Sequence, residues 1–357
     1  MYDMFDYMEW RGDLPFAKVS PNPVDMLIFS TLSYIHFEEI VPKTPNQRIS
    51  LREAAKIFFA QPDFENKVRV KKDLDLLEAA MDTERFGNVS MTFYRSIFDP
   101  EAETQFAAVT YDLGDGTVVL VFRGTDRTLV GWKEDFNMAF QDSIPAQREA
   151  LKYLEEFALS SLQPIRLAGH SKGGNLAVYA AAKADPFIQQ RIAEIYNLDG
   201  PGFSESMMTD PGYLAVVPRI RSYVPESSIV GILLEHAEAH TVIKSKQIGP
   251  MQHDPYTWEV LRNDFIHMEE MSEGSKFMDQ ATKAWLASMT PQERNTLVDG
   301  VYEILTTGGA VKTEDLIHPK QIGTYVKRMA TDDAKRGQVG ERISELAKTV
   351  AAIQKRK

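Results

Sequence analysis

Ser171 stands in Gly169-His170-Ser171-Lys172-Gly173, a serine with a glycine two residues to either side. A serine hydroxyl is a weak nucleophile until something exposes it and a base relieves it of its proton. The spacing suits that task. Upstream runs Ile165-Arg166-Leu167-Ala168, short and mostly apolar; downstream runs Asn175-Leu176-Ala177-Val178-Tyr179-Ala180-Ala181-Ala182-Lys183-Ala184, rich in helix formers. A strand, a sharp turn and a helix would place Ser171 at the apex. The glycines would let strand and helix pass without Cβ clashes. The helix would point its first amides at any oxyanion formed beside the serine. A plainer reading makes Ser171 only the N-cap of a helix.

The partners of such a serine must come from other strand ends, because ligands of a parallel sheet bind at its carboxyl edge. After Thr241-Val242-Ile243-Lys244 comes the loop Ile248-Gly249-Pro250-Met251-Gln252-His253-Asp254-Pro255, which makes His253 the candidate general base. Of the other histidines, His170 lies in the turn itself and should not face the same way as Ser171. His36, His267 and His318 read as helical or tail residues, and His236 and His240 precede the last strand. Two carboxylates compete to orient the base. Glu226 follows the strand Ile220–Pro225 and is favoured by chain order; Asp199, closing the strand 193–198, is the alternative. Asp254 reads as a turn residue. Thr125, after the apolar run Thr117–Phe122, could offer its amide and hydroxyl to an oxyanion, with the Lys172 amide as second donor. Arg123 and Asp135 are expected to form an ion pair that fixes this loop.

The elements that must carry these residues follow a readable pattern. Residues 1–87 read as helical: Pro23 suits a first helical position, and Val24, Leu27, Ile28 and Leu32 keep helical spacing, as do 51–59 and 71–81. From Val89 the period shortens. Residues 91–95 and 105–111 read as strands, Leu113-Gly114-Asp115-Gly116 as a turn, and 117–122 as a central strand. Helix is expected at about 146–160. Strands alternating with helices over 88–257 predict an α/β class with a mainly parallel sheet and helices on both faces. After about Trp258 the chain reads as helical to its end, with a last helix over 341–357. The expected organisation is therefore a helical N-terminal region (1–87), an α/β core (88–257) and a helical C-terminal region (258–357), acting as a cap or an interaction element.

Composition narrows the function classes. The 357 residues carry a net charge of −11, which argues against nucleic acid as a partner. No cysteine is present, so disulfides, thiolate metal sites and cysteine nucleophiles are excluded. The opening Met1-Tyr2-Asp3-Met4-Phe5-Asp6 lacks a basic segment followed by an apolar one, and no apolar run approaches a bilayer-spanning length. A cytoplasmic location is expected. The pair Gly173-Gly174 lacks the spacing of a phosphate-binding loop, and no cofactor or metal is expected.

Val121-Phe122-Arg123-Gly124-Thr125, then Trp132 and Asp135, then Gly169-His170-Ser171-Lys172-Gly173-Gly174 together resemble class 3 lipases. Those proteins carry an F-R-G-[ST] oxyanion segment, a W-x-x-D helix and a G-H-S-x-G elbow. Phe5-Asp6-Tyr7, Trp10-Arg11-Gly12-Asp13 and Gln252-His253-Asp254-Pro255 are similar to a bacterial family, the Mbeg-like proteins. The lipase resemblance covers roughly residues 88–256. It implies an α/β-hydrolase fold, Ser171 as nucleophile and Thr125 as oxyanion residue. It departs at the acid, since class 3 lipases place an aspartate after the penultimate strand where this chain has Glu226-Ser227-Ser228, and at Lys172, which replaces an apolar residue.

The function these residues point to is a serine hydrolase that cleaves carboxylic esters through an acyl-enzyme. Lipid or acyl esters are favoured by the resemblance, and Met207-Met208 and Ile229–Leu234 are candidates for an acyl pocket or lid. The competing reading is a hydrolase fold kept as a non-catalytic binding or scaffold protein. The partners expected are a small-molecule or lipid ester and, through the C-terminal helices, a protein partner or a second copy.

Overall fold

The computed structural model describes residues 2–126, 128–138 and 141–306. The expected last helix over 341–357 and His318 lie outside them. Five helices open the chain: α1 (Met4–Arg11), α2 (Pro23–Leu32), α3 (Leu51–Phe59), α4 (Lys71–Asp82) and α5 (Glu84–Gly87). The strand β1 (Ile49–Ser50) interrupts them. Pro23 does open α2. Asn22 caps it, and its capping box closes on Asp25.

The body that follows alternates strands and helices. It runs β2 (Ser90–Asp99), β3 (Thr104–Asp112), β4 (Val118–Phe122), α6 (Leu129–Asn137), α7 (Pro145–Ser160) and β5 (Ile165–His170). Then come α8 (Lys172–Lys183), α9 (Pro186–Gln189), β6 (Ile192–Leu198), α10 (Pro211–Val216), β7 (Ile220–Pro225) and β8 (His240–Ile243). The eight strands form one sheet in chain order, β1 to β8. The pairs from β1 to β4 are antiparallel and those from β4 to β8 are parallel. An eight-stranded sheet with a strand–serine turn–helix junction at its middle is the α/β-hydrolase type of fold.

The strand order has a consequence for the layers. Parallel crossovers are right-handed in nearly every protein, so strands added in one direction throw their helices onto one face. Here α7, α8 and α10 cover one face, packing Tyr153, Leu154, Leu176, Val178 and Tyr213 on Phe106, Leu120, Phe122 and Leu167. The alternate residues Val109, Tyr111, Val119, Val121 and Ala168 point the other way. The N-terminal helices cover that second face, with Val24, Leu27, Ile28 and Phe29 wholly buried against it. Helices lie on both faces, as expected, but the second layer comes from the N-terminal region instead of from crossovers.

The chain after Trp258 differs from the helical expectation. A small hairpin, β9 (Val260–Leu261) with β10 (Asp264–Phe265), precedes α11 (Glu273–Ala287) and α12 (Pro291–Thr306). Val260 and Phe265 are buried in the N-terminal core, which explains why this stretch is extended. His267 bridges Ile243 at the sheet edge and His36 lies in a loop, so neither is helical. Among the described residues no helix is long and apolar enough to cross a membrane.

Candidate active site

Ser171 occupies the turn between β5 and α8 with φ 59° and ψ −134°. Few non-glycine residues adopt this backbone, and such strain gathers at functional sites. The turn persists because its surroundings over-determine it. The Ser171 amide donates to the Leu198 carbonyl at 2.9 Å, and the Gly174 amide donates to the Ser171 carbonyl at 2.9 Å. A Cβ on Gly169 would stand 2.1 Å from the Gly173 carbonyl carbon, and one on Gly173 would stand 2.1 Å from the Phe122 oxygen. The close passage of strand, helix and β4 explains both glycines.

Asp199 follows β6 immediately and its carboxylate Oδ2 lies 2.6 Å from His253 Nδ1. The alternative candidate, not the favoured Glu226, is the carboxylate that meets His253. The physical reason lies in register. His170 pairs with Leu198 across β5 and β6, so the residue after Leu198 stands beside Ser171. Glu226 lies one strand further out, half-buried, its amide bound to Ile243 and its carbonyl to Ser272. Asp199 is fully buried and also has a positive φ, 54°. Its second oxygen accepts from the Ser228 hydroxyl, which in turn accepts from the Gly231 amide at 3.0 Å. The turn after β7 thus braces the acid without supplying it.

His253 ends a short 3-10 turn, Gly249–His253. The turn is held through its polar groups. Gln252 accepts on Oε1 from the Ser227 amide at 2.7 Å and donates from Nε2 to the Gln247 carbonyl at 2.8 Å. Trp258, fully buried, donates to the Gln252 carbonyl at 2.9 Å. With Nδ1 turned to Asp199, the Nε2 edge of His253 is left for a proton acceptor's work.

On the other flank, Thr125 donates its hydroxyl to the Asp135 carboxylate at 2.6 Å. The hydroxyl is thereby committed, and the amide is the donor left for an oxyanion. The expected Arg123–Asp135 ion pair does not form: Arg123 is buried with Nη1 3.5 Å from His36 Nε2, while Asp135 serves Thr125. Burial pushes the Asp135 carboxyl up to about 6, against the opposing pull of the Lys172 cation. Lys172 is buried too. Its ammonium donates to the Gln105 carbonyl, to Gln105 Oε1 and to Glu134 Oε2, each at 2.9 Å. Glu134, itself fully buried, accepts further from the amides of Gln105 and Ala146. A charge beside Ser171 is therefore a strut joining α8, β3 and α6. Spacing alone could not reveal it, because the partners are 38 and 67 residues away.

His170 faces away from Ser171, as expected, into the N-terminal layer. Its Nδ1 is 3.0 Å from the Tyr34 hydroxyl and its Nε2 is 2.9 Å from the His253 carbonyl oxygen. Burial drives its basicity well below the ordinary histidine range, with the neighbouring His253 acting in the same direction. Among the described residues no group of three or more His, Asp or Glu side chains is placed to hold a metal ion.

A family model of the Mbeg1-like proteins matches residues 80–303. The chain belongs to the Mbeg1-like family. Among solved structures it is similar to M37 lipase at 16% identity, over 59% of this chain and 69% of that one, with a TM-score of 0.36. No curated protein matches it. The Mbeg1-like match spans Ser171, Asp199 and His253, and also Thr125, Asp135 and Glu134. Of the N-terminal layer it includes only the end of α4 and α5.

Proposed function

We propose that this Mbeg1-like protein is a serine hydrolase that cleaves carboxylic esters through an acyl-enzyme. The Asp199–His253 contact, 2.6 Å between a carboxylate at the end of β6 and a histidine in the loop after β8, together with the strained Ser171, carries the reading. In the first half-reaction Ser171 Oγ attacks the ester carbonyl carbon while His253 takes its proton. The oxyanion is met by the amides of Thr125 and Lys172, and the imidazolium is stabilised by Asp199. Collapse expels the alcohol, which receives the proton from His253. Water then repeats the sequence on the acyl-serine, releasing the acid.

Apolar residues around the base favour acyl esters. Ile248, just before the His253 turn, and Met251, within it, are 82% and 68% exposed. The segment 229–234 is mostly half-buried and joins the acid's brace to the loop after Asp199, where the Gly202 amide donates to the Leu233 carbonyl at 2.8 Å. A fluorophosphonate probe should label the wild type and fail on Ser171→Ala. His253→Ala should abolish turnover while keeping the fold. A folded wild type that resists the probe would leave the scaffold reading in its place. An ester series from acetyl to long acyl would then locate the preferred chain length.

A further inference from the structure

His170 is a motif residue that the reaction above does not use, yet both its ring nitrogens are spent. The partner of Nε2 is the His253 carbonyl, 2.9 Å away, and a carbonyl only accepts. Nε2 therefore carries the proton, and Nδ1 accepts from the Tyr34 hydroxyl at 3.0 Å. We propose that Tyr34 and His170 are positioning residues that carry the N-terminal layer's grip to the backbone of the base. The inference rests on the serine-hydrolase reading for its kinetic consequence.

The geometry makes this grip specific. The His253 turn has no regular element of its own to hold it, and Gly249 at its start has φ 54°. Two successive carbonyls of the turn receive buried donors, Gln252 from the Trp258 indole and His253 from the His170 imidazole. With the His253 carbonyl fixed below and its Nδ1 fixed on Asp199, the Nε2 edge has one place to point. The rings of His170 and His253 lie 4.7 Å apart, so a displacement of one is felt by the other. The Tyr34 hydroxyl also reaches the opposite flank. It lies 2.2 Å from where a Cβ on Gly124 would stand, next to the oxyanion residue Thr125. One phenol from the end of α2 thus abuts both halves of the site. The groups facing His170 are Tyr34, His253 and Trp258, with the Arg69 guanidinium stacked on the Tyr34 ring at 4.1 Å. A protonated His170 would have to donate to the Tyr34 oxygen and reverse that bond.

Two measurements on the full chain test this. In histidine ¹⁵N NMR of the wild type, with His170 assigned through His170→Gln, the ring should be neutral and protonated on Nε2 at neutral pH. Tyr34→Phe, which keeps the ring, should leave the proton on Nε2, where the His253 carbonyl still accepts it, but shift the His170 Nδ1 resonance and the His253 resonances. The same variant should lower the fluorophosphonate labelling rate and kcat about 10- to 100-fold with KM unchanged, as expected for a displaced catalytic group. A cationic or Nδ1-protonated His170 would overturn the proposal, as would a Tyr34→Phe protein whose His253 signals and rates match wild type. Where Tyr34→Phe fails to fold, the wild-type tautomer decides. Absence of labelling in the wild type counts against the hydrolase reading, whereas the NMR arm judges the positioning on its own.

Discussion

The two flanks of Ser171 are braced by opposite kinds of chemistry. On the oxyanion side the brace is ionic: a buried lysine meets a buried glutamate, and Thr125 leans on the Asp135 carboxylate. On the base side the Asp199–His253 contact is held by neutral donors, Ser228 on the carboxylate and Trp258 and His170 on the turn, with the Arg69 guanidinium further back over the Tyr34 ring. The difference follows from what each flank must do. An oxyanion loop needs only to stay in place, and a charged strut with three good bonds holds it. On the proposed reading His253 must gain and lose a proton, and its ring is held by Asp199 while its backbone is held by the His170 imidazole.

The largest expected effect breaks the pair on the base side. Asp199→Asn should reduce kcat by roughly 10³- to 10⁴-fold with little change in KM, since the histidine loses its tautomer and its counter-charge. Glu226→Gln, measured in parallel, should leave kcat near wild type. Equal losses in the two variants would sink the assignment of the acid to Asp199.

Next comes the strut. Lys172→Met strands the Glu134 carboxylate, which is fully buried, and should cost about 3–5 kcal/mol in a urea titration. Adding Glu134→Gln should recover part of that loss. A single variant as stable as wild type would mean the pair does not hold the flank.

The smallest effect concerns Asp135. Asp135→Asn keeps the Thr125 amide, so activity should fall by less than the ~10²–10³-fold seen when an oxyanion donor is removed outright. Its signature is in stability against pH. The folded carboxyl titrates at about 6, above its usual 3.8. Between those values the native state binds more protons than the unfolded chain, so this group's contribution is full below about 4 and is lost as pH rises through about 6. Relative to Asp135→Asn, the wild type should lose stability across that window. Parallel curves from pH 4 to 7 would count against it.

How far the site could be read in the sequence differs between the flanks. Ser171, His253 and Thr125 belong to local patterns, and the strands that carry them were legible from their apolar runs. Asp199 required knowing which strand lies next to β5. Chain order favoured Glu226, but a sheet whose strands add in sequence puts the β6 end beside the serine. The signal available was a carboxylate directly after that strand, in Leu198-Asp199-Gly200. Tyr34, Glu134 and Gln105 carried no signal, because each acts through a partner brought near only by packing. After Trp258, α11 and α12 are helical and only the short β9–β10 hairpin departs from the expectation, for the same reason: Val260 and Phe265 are extended because the N-terminal core takes them in.

The N-terminal layer also bears on synthesis. Its helices leave the ribosome first, yet the sheet face they bury includes Ala168, Leu198 and Tyr223. At a translation rate of about 5–20 residues per second, α2 waits roughly 12 to 47 seconds for its last partner strand, β10. During that interval Val24, Leu27, Ile28 and Phe29, wholly covered in the finished molecule, have only part of their sheet to rest on. The layer that meets the His253 loop through Tyr34 and His170 is thus the one whose docking is completed late.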